Sequence, residues 1–90
     1  MRRASSCERA FTELRDHGLP RDSAAFAELR VSVANTITAM LTYSAIVNEA
    51  VATGDERVFR TPHREKRAVD DELSRLALLR EGLARWVAGD

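Results

Sequence analysis

The sequence is short of most things that hold a small protein together. It has one cysteine, Cys7, which excludes an intrachain disulfide. Cys7, His17 and His63 stand far apart and match no metal-ligand spacing, so no metal and no cofactor is expected. There are two prolines and four glycines, and no internal repeat or low-complexity run. Lysine is nearly missing: thirteen of the fourteen basic residues are arginine, and Lys66 is the exception. Net charge is zero, which speaks against bulk electrostatic binding to nucleic acid or to an acidic membrane. The opening MRRASSCERA has no apolar run behind its arginines, so a secretory leader is not expected and a cytoplasmic location is. Also absent are a nucleophile elbow, a P-loop and a dinucleotide fingerprint.

Ninety residues make one domain, spanning 1–90. A chain this small buries a modest share of its surface and needs regular helix packing or oligomerisation when it has no staples.

What is present is helical periodicity. Ala4, Cys7, Ala10, Phe11 and Leu14 recur at three- and four-residue steps, predicting a first helix over about 3–17. His17-Gly18-Leu19-Pro20 stops it: Gly18 as the left-handed cap, Leu19 folding back, Pro20 as the breaker. The imidazole of His17 suits the negative end of the helix dipole.

A second helix is expected over about 22–53, capped by Asp22 or Ser23 and ended by Gly54. Its seam is Phe26, Leu29, Val33, Ile37, Met40, Ser44, Val47 and Val51, a coiled-coil-like alternation of threes and fours. At about 1.5 Å per residue it would run to about 48 Å, long for a small domain. Val58 and Phe59 are the expected loop anchors. Thr61-Pro62 then opens a third helix over about 62–88, with Val69, Leu73, Leu76, Leu79, Leu83 and Trp86 as its seam. The fold class is all-α: an antiparallel hairpin of helices two and three, with the shorter first helix across it, in an oligomeric helical bundle.

Between residues 31 and 54 the chain carries a single charge, Glu49. A membrane span needs about 20 mostly apolar residues. This segment has the length but is filled with Ser, Thr and Asn, has few Leu and Ile, and shows no one-sided positive flank. The face opposite the seam carries Ser32, Asn35, Ala39, Thr42, Ile46 and Glu49, where a solvated helix would carry Glu, Lys and Arg. One long neutral helix cannot easily be surrounded by two others from so short a chain. Contact with a second copy or another protein is the expectation, through Val33, Ile37, Met40, Leu41, Ser44, Val47 and Val51.

The sharpest polar cluster is ERVFRTPHREKR, residues 56–67. It sets Arg57, Arg60, His63, Arg64 and Arg67 around a helix start, where free amides add positive potential. This is an alternative site, for an anionic ligand or nucleic acid. An enzyme with an inter-subunit site using His63 and arginines ranks last, since no partner for proton transfer is visible.

The stretch AAFAELRVSV is similar to the dimerisation helix of sensor histidine kinases, but Ala27 stands where the phospho-accepting histidine would be. Leu29-Arg30 and Arg64-Glu65 resemble steps of the all-α chorismate mutases. That resemblance implies basic residues inside the long helix, and residues 31–54 have none. Neither family is assigned. The sequence reads as a non-enzymatic helical protein–protein interaction module, a homodimer or a small subunit of a larger assembly.

Overall fold

The computed structural model describes residues 3–54, 57 and 59–89. It is an all-α bundle of three helices: α1 (Arg3–Asp16), α2 (Ala24–Thr53) and α3 (Pro62–Ala88). The bundle is a rod, 49 × 19 × 16 Å. Helices α2 and α3 form the antiparallel hairpin. Tyr43 of α2 meets Glu65 at the start of α3, while Phe11 of α1 meets both Phe26 early in α2 and Trp86 late in α3.

The seam residues sit inside. Phe26, Leu29, Val33, Met40 and Val47 of α2 are buried against Val69, Leu76, Leu79 and Leu83 of α3. Leu73 and Trp86 are partly buried beside them. From α1, Ala4 and Cys7 enter the core, and Ala10, Phe11 and Leu14 pack on its edge. The Cys7 side chain therefore acts as a small apolar group.

The helix ends differ from expectation in their chemistry. Ser23 occupies the cap position of α2 with extended backbone, but its hydroxyl makes no capping bond and is buried without a partner. Thr61 caps α3 only through its carbonyl, which accepts the Glu65 amide at 3.1 Å; its hydroxyl does not cap. Pro62 stands in the first turn as expected. Gly54 ends α2 at φ 68°, a left-handed conformation that favours glycine, and donates its amide to the Ala50 carbonyl. At the end of α1, His17 Nδ1 lies 2.6 Å from the Glu13 carbonyl oxygen, as its position predicts. Leu19 is exposed and does not seal the last turn. Val58 lies outside the described residues, and Phe59 stacks edge-on against Tyr43 at 5.8 Å.

Helix α1 is held by one polar device. Glu72 of α3 is 5% exposed, and its Oε2 accepts the Ala4 amide at 3.0 Å, across 68 positions of sequence. The first amides of any helix have no intrahelical partner, so a buried carboxylate here satisfies an amide and meets the positive end of the dipole. Arg75 closes the network. Its guanidinium lies 3.5 Å from Glu72, grips both oxygens of Glu8 at 3.0 and 3.1 Å, and donates to Ser5. The bond to Glu8 also raises the guanidinium pKa above its already high ordinary value.

Replacing Glu72 with Ala leaves helix propensity unharmed but strands the Ala4 amide. A hydrogen bond to a charged group contributes about 1.5–3 kcal/mol. The expected outcome is a loss of about 2 kcal/mol in urea unfolding. Amide exchange should speed up first in the opening turn of α1. An unchanged midpoint would show that α1 is held by packing alone.

Candidate functional site

Helix α2 is thirty residues, about 45 Å, while α1 is fourteen residues, about 21 Å. Helix α3 takes one side of α2 along its length. Helix α1 reaches only the half of the hairpin that holds Phe26 and Trp86. One side of α2 is therefore left bare. It carries Val31, Ser32, Asn35, Thr38, Ala39, Thr42, Ala45 and Ile46, all exposed, with Leu41 and Asn48 on its flank. Val31 is 60%, Leu41 56% and Ile46 49% exposed. No charge interrupts the helix from residue 31 to 48.

The threonines make this face less polar than its composition. The hydroxyls of Thr36, Thr38 and Thr42 donate to the carbonyls of Ser32, Ala34 and Thr38 at 2.8–3.2 Å, each one turn back. A donor satisfied inside its own helix makes little demand on water, so the face can be dried at low cost. At its N-terminal end the face opens into a depression of about 460 Å³ lined by Arg3, Glu28, Val31, Ser32, Asn35, Thr36 and Ala39.

The side chains expected to meet a partner are placed otherwise. Val33, Met40 and Val47 are buried within this chain, Ile37, Ser44 and Val51 are half-buried, and only Leu41 is exposed. Helix α3 already occupies the seam. The exposed side of α2 is the opposite one.

The arginine cluster keeps its expected place around the start of α3. Arg57, Arg60, His63, Arg64 and Arg67 are all exposed. Two acidic neighbours are engaged: Glu65 accepts the Tyr43 hydroxyl at 2.6 Å, and Asp70 pairs with Lys66 at 2.9 Å. Arg60, Arg64 and Arg67 enter no ion pair among the described residues. Tyr43, Glu49 and His63 line none of the depressions at Val31, Leu78 or Ser23. No three His, Cys, Asp or Glu side chains gather to hold a metal ion among the described residues. No helix there is long and apolar enough to cross a membrane.

Tyr43 shows a large shift in acidity. The hydrogen bond to Glu65, then burial, then the carboxylate's charge push its pKa from 10.0 to about 12. The folded state thus holds the phenol proton more tightly than the unfolded chain does. The stability this adds is complete below pH 10 and is lost as pH rises through about 12. With one tyrosine in the chain, phenolate absorbance reads the group directly. A midpoint near 12 is expected, moving back toward 10 in Glu65→Gln. A wild-type midpoint at 10 would mean that the clasp between the α3 start and α2 is open in solution.

Comparison with known protein families, with curated proteins and with solved structures finds no match.

Proposed function

We propose that this chain is a helical protein–protein interaction module that assembles through the bare face of α2. One observation carries the reading: Val31, Leu41 and Ile46 stand exposed on and beside a face that carries no charge over five turns. Solvated helix faces are dense in Glu, Lys and Arg, as the outer side of α3 is with Arg64, Arg67, Asp71 and Glu81. The module is a homodimer or a small subunit of a larger assembly, and it acts by contact rather than by chemistry.

The test is absolute mass by light scattering across a dilution series, with co-purification of bound chains beside it. Thr42→Glu puts a charge in the middle of the face without touching the core. It should abolish association of either kind, since an unpaired charge in a dried interface is costly, while helix content stays unchanged. A wild-type chain that is monomeric and binds nothing that Thr42→Glu releases would end the reading.

A second reading rests on the unpaired state of Arg60, Arg64 and Arg67. It takes the start of α3 as a binding surface for an anionic ligand or nucleic acid. Binding of a short oligonucleotide should then fall steeply with salt, and the double change Arg60→Ala, Arg64→Ala should flatten that slope by about two phosphate contacts. Absence of binding at low salt removes it.

A further inference from the structure

We infer that the occupant of the bare face is a second copy of this chain, packed with its α2 antiparallel about a two-fold axis passing between Thr38 and Thr42. This rests on the reading of α2 as an interface and adds who the partner is and how it lies.

The argument is one of symmetry and sign. Val31 and Glu49 are eighteen residues apart, about five full turns, so they share one azimuth at opposite ends of the face. Thr38 and Thr42 lie about 20° to either side of that azimuth, equally far from the midpoint. An axis there makes the face self-complementary, as a closed dimer requires: Thr38 meets Thr42 of the copy, and Asn35 meets Ala45. The side chains at the centre are small, which lets two helices come close. Their threonine hydroxyls already donate to their own backbone.

The two ends carry opposite charge. At the C-terminal end stands Glu49, exposed and the single charged residue between 31 and 54. At the N-terminal end stand Arg3, Glu28 and Arg30, all exposed, with a net charge of one positive. Arg3 and Glu28 line the depression at Val31. Antiparallel packing brings Glu49 of each copy to the positive end of the other. Parallel packing sets Glu49 against Glu49 and arginines against arginines, and lays the two helix dipoles side by side in the same direction. The strip between Val31 and Glu49 is about 27 Å long and one helix wide. That is smaller than the roughly 800 Å² per partner of a standard interface, so the dimer should dissociate on dilution.

Single-cysteine chains test the orientation. In a Cys7→Ala background, Asn35→Cys and Ala45→Cys are oxidised separately and as a mixture at a concentration where scattering gives twice the 10.0 kDa of one chain. In the antiparallel pair, 35 faces 45 of the copy, whereas 35 to 35 and 45 to 45 are each offset by about 15 Å, beyond disulfide reach. Disulfide dimers should form in the mixture only. Glu49→Arg should weaken association about tenfold, and an Arg3→Glu, Arg30→Glu chain mixed with it should restore much of the loss.

Disulfides formed by each variant with itself would overturn the antiparallel arrangement and leave the interface reading standing. A chain monomeric at every concentration, with no disulfide in any mixture, overturns the second copy as occupant. The wider reading then stands or falls on a different bound protein that Thr42→Glu releases.

Discussion

The constraint behind this architecture is a mismatch of length. A helix of thirty residues presents about 45 Å of surface on every side, and the chain supplies it with one full-length neighbour and one half-length neighbour. Helix α3 takes the most apolar side, from Phe26 to Val47. Helix α1 thickens one end of the rod, where Phe11 bridges Phe26 and Trp86. Toward the other end the hairpin has two helices in cross-section, closed by Phe59 and by the Tyr43–Glu65 bond. Among the described residues nothing covers the outer side of α2.

Polar groups do the positioning where the apolar seam is indifferent. A seam of Leu and Val tolerates sliding by a turn, because its surface repeats. The buried Glu72 carboxylate does not. It accepts one particular amide, that of Ala4, and so fixes how far along α3 the first helix begins. Arg75 then joins Glu72 to Glu8 and Ser5, tying two turns of α1 to one point on α3. The exposed pair Arg75–Glu8 adds little by itself. Its effect is to hold a buried charge in a satisfied geometry, which matters more than its own attraction.

The helices were legible because three- and four-residue spacing is a local property: the boundaries of α2 and α3 and the residues facing inward follow from it. The caps were legible by position but not by bonding. Ser23 and Thr61 stand where expected, yet neither hydroxyl closes its helix. Glu72 was not legible at all, since its partner is 68 positions away and nothing in DDEL marks it apart from Asp70 and Asp71. The expected interface residues expose a subtler confusion. Val33, Met40 and Val47 are the most apolar of α2, and an expectation that rates apolarity alone assigns them twice, to the core and to a partner. The core has first claim, because α3 is tethered to α2 and its effective concentration there far exceeds that of any separate chain. What remains exposed on α2 is the less apolar side.

That order of claims accounts for the odd composition of the bare face. A strip of Leu and Ile would bind more tightly, but an exposed apolar patch of that size invites indiscriminate association. A strip of Glu, Lys and Arg would keep chains apart. Threonine resolves the conflict, because its hydroxyl is a polar group that the helix can satisfy by itself, as Thr38 and Thr42 do. On the proposed reading, little is lost when such a face is dried and little is gained, so association over it would be shallow and reversible. In the proposed pair, orientation would be set by the charged groups at the ends, Glu49 at one and Arg3 and Arg30 at the other. A neutral middle with charged ends reads orientation, where a uniformly apolar strip reads only size.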